Sequence, residues 1–136
     1  MSMNLTICLK ILLANQDGEF LVLQRPSSSI RNPSKWDFPG GKMTLEKPYL
    51  LELRREVKEE TGLDIEVERI IGITETLLPL QKVITLIFRG RASSKDIKLS
   101  DEHTTFKWII PDQMDSLELT DKLQAFFKEN HFREGT

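Results

Sequence analysis

Residues 40–63 read GGKMTLEKPYLLELRREVKEETGL, a glycine turn followed by an acidic helical pattern. At about 100° per residue, Glu52, Glu56, Glu59 and Glu60 fall within an arc roughly 100° wide, beside an apolar stripe that suits a core. Carboxylates clustered in this way repel one another unless a cation or a proton lies among them, and hard divalent cations suit such oxygens. The spacing alone leaves two interpretations open: a solvated face with internal charge pairs, or a cation site.

The residues on either side of this pattern favour the cation site. Pro39, Gly40 and Gly41 predict a sharp turn at which a backbone can approach a ligand closely. Pro48 suits the first turn of a helix, and Gly62 suits the position just after its end. We therefore expect the turn and the acidic helix to form one unit.

The same residues carry a resemblance to a known family. The stretch 41–63 resembles the Nudix box, whose pattern is Gly, five residues, Glu, seven residues, then Arg-Glu-apolar-x-Glu-Glu-x-Gly-apolar. From Arg55 onward every position matches. The first half departs once, because Lys47 stands where the family has its first Glu, and Glu46 lies one residue early. In the family that Glu mainly braces the box Arg, so the resemblance implies that Glu46 or Glu52 braces Arg55 instead.

The resemblance extends to residues 35–42, KWDFPGGK, which look like the entry of MutT-type Nudix domains. It implies an α/β fold, the Nudix α/β/α sandwich with a mixed β-sheet and a box helix. It also implies a pyrophosphohydrolase that uses Mg²⁺, with Mn²⁺ as the alternative ion. The favoured substrate is a nucleoside triphosphate, canonical or oxidised, cleaved to a monophosphate and pyrophosphate. The alternatives are a hydrolase of ADP-ribose, a dinucleotide or a nucleotide sugar, and a Nudix-fold module that binds a nucleotide without cleaving it.

The resemblance also implies roles for individual residues. Glu59 and Glu60 are the expected principal metal ligands, and the carbonyl of Gly40 adds a backbone oxygen. Glu56 binds metal or accepts a proton, and it is grouped with Glu59 among the catalytic carboxylates. Outside the box, Glu102 is the best candidate for an extra ligand or base, against the alternative of an exposed loop acid. Three further box residues are expected to be structural: Arg55, Gly41 and Gly62.

Three residues are candidates for substrate binding. Arg25 follows a predicted strand and suits a phosphate in a fork geometry, with an ordinary surface arginine as the alternative. Trp36 is expected either to stack on a base or to pack under the glycine turn. Lys42 is expected either to neutralise phosphate charge or to remain solvated. In the same region His103 suits proton transfer near neutral pH, although a lone histidine in a loop is usually a surface residue.

Length and composition indicate one domain over residues 1–136. The formal charge of −2, with scattered Lys and Arg, gives no basic field for polymeric nucleic acid, so the expected partner is a small nucleotide. No apolar run reaches the roughly 18 residues of a spanning helix, and the N-terminus lacks signal-peptide features. We therefore expect no membrane association and a cytoplasmic location. The single cysteine, Cys8, is expected to be a buried thiol, and both monomer and homodimer remain open.

Apolar periodicity and turn residues predict the secondary structure. Strand-like runs and helical runs alternate with polar or proline-containing connections. The predicted strands are 4–14, 19–25, 64–75, 81–91 and 104–110, the predicted helices are 48–61 and 120–129, and residues 26–35 are predicted to form an irregular loop.

Overall fold

The computed structural model of the chain describes residues 3–130. Within this range the chain forms seven strands, two α-helices and one short 3-10 helix. The strands are β1 (Asn4–Ala14), β2 (Phe20–Gln24), β3 (Trp36–Asp37), β4 (Gly40–Lys42), β5 (Ile65–Leu78), β6 (Gln81–Ala92) and β7 (Thr105–Ile109); the helices are α1 (Tyr49–Thr61) and α2 (Asp121–Asn130), and the 3-10 helix is Pro111–Ser116. None of the helices in the described range is both long and apolar enough to cross a membrane.

The longer predicted elements are confirmed with small shifts at their ends. The predicted strand 4–14 and helix 48–61 are β1 and α1, and the predicted strand 64–75 extends to Leu78 as β5. The sequence pattern does not predict β3 or β4, because two or three residues are too few to show a period. Both flank the glycine turn, where β3 pairs with β2 and β4 pairs with β1.

All seven strands belong to one mixed sheet. Its path runs β3-β2-β1-β6-β5, while β4 also pairs with β1 and β7 with β2. The long central pair, β1 and β6, is parallel from Asn4 opposite Gln81 to Ala14 opposite Arg91. The remaining pairs within this path are antiparallel. The predicted mixed sheet is therefore confirmed.

The two helices cover opposite faces of this sheet. Successive side chains of a strand point to opposite faces, so alternate positions of β1 and β2 enter different cores. Leu12 packs in the core that contains Phe126 of α2, whereas Ile11 packs in the core that contains Leu53 and Val57 of α1. Each such side chain contributes about 1.5–3 kcal/mol when fully buried. The layers are helix, sheet and helix, as predicted.

The ends of α1 set the position of its acidic face. The helix follows Pro48, and the backbone N–H of Gly62 donates to the carbonyl of Lys58 in a left-handed cap with φ of 78°. A left-handed residue at this position is most easily a glycine. Because Leu53 and Val57 dock on the sheet, the neighbouring carboxylates are carried to the edge of that core, next to the glycine turn.

Candidate metal and phosphate site

A cavity of about 560 Å³ opens where the glycine turn meets the carboxyl-terminal half of α1. Ionisable side chains of opposite sign line it. We call the carboxylates the acidic wall: Glu56, Glu60 and Glu102. We call the cations the basic wall: Lys10, Arg25, Lys42 and Lys122.

The glycine turn brings the backbone against both β1 and the acidic wall. Gly40 has a φ of +135°, and a Cβ at this position would lie 1.9 Å from the carbonyl oxygen of Leu9. A Cβ on Gly41 would lie 2.8 Å from Oε2 of Glu56. Neither position has room for a side chain unless its neighbours move, which is the physical reason for two glycines here.

Glu60 is the most buried carboxylate of the acidic wall, with 3% of its surface exposed. Its Oε1 accepts a hydrogen bond of 2.7 Å from the N–H of Gly40. Burial raises the pKa of Glu60 to about 7, and the neighbouring Glu102 and Glu56 add to this, while Lys10 and the N–H of Gly40 act in the opposite direction. The position of Glu60 beside two other carboxylates fits a divalent cation, which removes their mutual repulsion.

The other predicted metal ligands of α1 take different positions. Glu56 lines the cavity, and its Oε1 accepts a hydrogen bond of 3.1 Å from Arg55. Glu59 is not among the lining residues of the cavity: its side chain is 58% exposed, and its carboxylate accepts a hydrogen bond of 2.9 Å from Arg55. Ligation by Glu59 stays a prediction, because it would require this carboxylate to leave Arg55 and turn.

Arg55 is braced by Glu52. This carboxylate is only 2% exposed, and it accepts hydrogen bonds from Nη2 of Arg55 at 2.7 Å and from the hydroxyl of Thr44. The hydroxyl of Thr44 first, and then Arg55, lower the pKa of Glu52. Lys47, at the usual position of the first box Glu, is exposed. Of the two expected braces, Glu52 is therefore the one that contacts Arg55.

Lys10 in β1 is a buried cation that the sequence analysis missed. Its Nζ lies 3.2 Å from Oδ2 of Asp37 and donates to the carbonyl of Gly40 at 3.3 Å. Burial lowers the pKa of Lys10, but Asp37 and Glu60 outweigh this, so the pKa is raised. The carbonyl of Gly40 keeps a second lone pair for its predicted role as a metal ligand. The available signal was a single lysine within the apolar run of residues 7–14.

The remaining cations of the basic wall come from three other segments. Arg25 follows β2, and its Nε donates to the carbonyl of Arg31 at 3.2 Å. Lys42 is exposed at the end of β4. Lys122, which the sequence analysis also missed, enters from α2, and its Nζ lies 3.7 Å from the sulfur of the buried Cys8. Arg25 and Lys42 both line the cavity, and phosphate binding by them stays a prediction.

Trp36 lies in the core. Its ring is 7% exposed, it belongs to the apolar cluster beneath α2, and Nζ of Lys107 lies 5.0 Å from the ring centroid. It is not among the residues that line the cavity. Of the two alternatives for this residue, the structure favours packing over stacking on a base.

The loop before β7 brings Glu102 and His103 beside Glu60. Glu102 is exposed and lines the cavity, while His103 is buried, so the expectation of a surface histidine is wrong. Burial first, and then Lys10, lower the pKa of His103 to about 4, so this imidazole is neutral near pH 7. Ligand atoms of Glu60, Glu102 and His103 lie within 4.8 Å of one another. The donor set of carboxylates and a neutral imidazole fits a divalent cation.

The chain is similar in sequence and in fold to known proteins. The NUDIX domain model matches residues 6–129. A MutT-like protein of Streptomyces ambofaciens is 28% identical over 102 residues, which are 75% of this chain and 62% of that protein. Nucleoside triphosphatase NudI of Enterobacter sp. (strain 638) is 22% identical over 132 residues, which are 86% of this chain and 91% of that protein. The crystal structure of a MutT protein from Methanosarcina mazei Go1 superposes with a TM-score of 0.84 at 32% identity and covers 96% of each chain.

Proposed function

The chain belongs to the NUDIX domain family and is a hydrolase of pyrophosphate bonds, and on this premise we propose that it cleaves a nucleoside triphosphate to a monophosphate and pyrophosphate with Mg²⁺. The observation that supports this most strongly is the presence of an acidic wall and a basic wall in one cavity. Its volume of about 560 Å³ lies in the usual range of small-molecule sites.

The two walls address the charge problem of a polyphosphate. Water must attack a phosphorus atom that is surrounded by negative oxygens, so positive charge is needed near both the phosphates and the transition state. A divalent cation bound by Glu56, Glu60 and Glu102 supplies part of that charge. Arg25 and Lys42, which line the same cavity, would supply more, and the fork of Arg25 suits two phosphate oxygens at once.

The remaining residues position these groups. Lys10 donates a hydrogen bond to the carbonyl of Gly40, and the N–H of Gly40 donates one to Oε1 of Glu60. Arg55 holds Glu56 from outside the cavity. Either Glu56 or Glu102 accepts the proton of the attacking water, since both are carboxylates on the cavity wall.

Product identification across a substrate panel tests the proposal. Canonical and oxidised nucleoside triphosphates, ADP-ribose and dinucleotides are incubated with the protein in Mg²⁺ or in excess chelator. We expect monophosphate and pyrophosphate in equal amounts from a triphosphate, in Mg²⁺ only. Cleavage of ADP-ribose without cleavage of any triphosphate would show that the protein is an ADP-ribose hydrolase. The absence of any product from folded protein would overturn the proposal.

A further inference from the structure

His103 presents an unused buried nitrogen to the acidic wall. Its side chain is 5% exposed, and its Nδ1 finds no hydrogen-bond partner within residues 3–130. Buried polar atoms in proteins nearly always have a partner, so an unpaired one in a residue that lines a cavity calls for a partner such as a bound ion or water. Nδ1 lies 4.0 Å from Oε2 of Glu60, too far for a hydrogen bond.

One carboxylate oxygen of Glu60 lies near the unpaired nitrogen of His103. Its Oε1 is fixed by the N–H of Gly40 at 2.7 Å, which leaves Oε2 on the side of His103. One ligand atom from each of Glu60, Glu102 and His103 lies within 4.8 Å of the other two. Two carboxylates and one imidazole are therefore grouped at the cavity wall.

The spacing of these atoms suits one ion. Protein ligands lie about 2.1 Å from a bound Mg²⁺ or Zn²⁺, so two ligands of the same ion stand at most about 4.2 Å apart. The 4.0 Å between Nδ1 of His103 and Oε2 of Glu60 is within this limit. Glu102 is exposed, so its side chain has room to turn and satisfy this limit.

The backbone holds this loop in place at both ends. The N–H of Ser100 donates to the carbonyl of Glu60 at 3.2 Å, and the N–H of Thr104 donates to the carbonyl of Gln24 at 3.0 Å. The first bond ties the loop to the end of α1, and the second ties it to the end of β2. The backbone that carries Glu102 and His103 is thus tied to α1 and β2 without any ion.

We propose that Nδ1 of His103 is a ligand of the divalent cation held by Glu60 and Glu102, and that this nitrogen makes the centre select a first-row transition ion such as Mn²⁺ over Mg²⁺. The inference rests on the metal centre of the proposed function. Imidazole nitrogen binds transition ions far better than Mg²⁺, which prefers oxygen and water.

The test uses Mn²⁺ alone, without substrate, on the full chain. Mn²⁺ binding is measured by titration, and pulsed electron paramagnetic resonance with ¹⁵N-histidine detects nitrogen bound to the ion. The chain has two histidines, His103 and His131, so His131→Gln is the matched control. We expect nitrogen coupling in the wild type and in His131→Gln, and none in His103→Gln, which offers oxygen in place of nitrogen.

Affinities supply the second readout. In His103→Gln the dissociation constant for Mn²⁺ is expected to rise at least about tenfold, the lower end of the loss when even an outer partner of a metal ligand is replaced. The dissociation constant for Mg²⁺ is expected to change much less. If His103→Gln fails to fold, coupling that persists in His131→Gln still identifies His103, because no other imidazole remains.

The outcomes separate this inference from the proposed function. Mn²⁺ binding without nitrogen coupling in the wild type overturns the role of His103 and leaves the hydrolase proposal standing. Coupling that disappears in His131→Gln overturns it as well. If the wild type binds neither Mn²⁺ nor Mg²⁺, the metal centre itself is refuted, and the proposed function falls with it.

Discussion

The acidic wall and the basic wall of the cavity satisfy their charges in different ways. In the basic wall, Lys10 has a direct ion-pair partner in Asp37 at 3.2 Å. In the acidic wall, a backbone N–H holds Glu60, and burial raises its pKa to about 7. Lys10 therefore has a close counter-charge in Asp37, whereas Glu60 keeps a raised pKa that a bound cation would lower. Buried charge is thus structural at Lys10 and suited to a ligand at Glu60.

The largest expected effect follows from removing charge from the acidic wall. Replacing Glu60 by Gln is expected to lower kcat at least about 10³-fold, or about 4 kcal/mol of activation free energy, because a metal ligand in the cavity is lost. Replacing Glu59 by Gln is expected to cost less, because Glu59 contacts Arg55 and is not a lining residue of the cavity. Steady-state kinetics at saturating Mg²⁺ measure both. Equal losses would show that Glu59 turns inward to bind the ion.

A substitution in the basic wall is expected to lower the free energy of unfolding. Replacing Lys10 by Met leaves Asp37 buried without its ion-pair partner, and loss of one member of a buried pair costs about 3–5 kcal/mol. The matched control replaces both residues, Lys10→Met with Asp37→Leu, and should recover most of the loss, because the Asp37 carboxylate is no longer buried without Lys10. Urea denaturation of metal-free protein gives both free energies of unfolding. A single variant as stable as the double would contradict the structural role of this pair.

The sequence predicts the acidic wall better than the basic wall for a physical reason. Glu56 and Glu60 lie on one helix, so their common face follows from helical spacing within a few residues of sequence. The basic wall is assembled from β1, the segment after β2, β4 and α2, and these segments come together only through the pairing of the strands and the packing of α2 on the sheet. Lys10 carried a local signal, since a lysine inside an apolar strand needs a partner, but nothing local identifies Asp37 as that partner.

The burial of His103, which lies beside the acidic wall, was likewise not predictable from the local sequence. The residue pattern marks it as a loop histidine, and such residues are usually exposed. Its burial results from two backbone hydrogen bonds, to the carbonyls of Glu60 and Gln24, that pin the loop to distant elements. The long strands and both helices were predicted because they repeat a period, whereas β3 and β4 exist only through pairing.

A smaller loss of stability is expected at low pH. Burial raises the pKa of Asp37, but Lys10 and then Lys122 outweigh this, so its pKa lies below the ordinary 3.8. A carboxyl group with a lowered pKa stabilises the fold above its ordinary pKa and loses that contribution as pH falls through the folded value. Between about pH 5 and about pH 2.5, the wild type should lose more thermal stability than Asp37→Asn. Parallel losses in Tm would show that Asp37 does not contribute.

The smallest predicted effect concerns the departure in the first half of the box. Arg55 contacts Glu56, which lines the cavity, and Glu52 is the buried anchor of Arg55. Replacing Glu52 by Ala is expected to lower kcat/KM about tenfold, as for other partners that orient a metal ligand from outside. Lys47→Glu alone should leave kcat/KM near that of the wild type, because Arg55 already forms an ion pair with Glu52.

The double variant decides whether position 47 and position 52 are interchangeable. Lys47→Glu added to Glu52→Ala should restore most of kcat/KM, since it returns a carboxylate to the position from which the family braces this arginine. Glu46→Ala is the matched control, because Glu46 is exposed and adjoins Lys47. Failure of the double variant to recover, with an unchanged Tm, would mean that Glu52 orients the acidic wall in a way that position 47 cannot. The acidic wall would then depend on a brace built into α1 itself, just as the basic wall depends on Asp37.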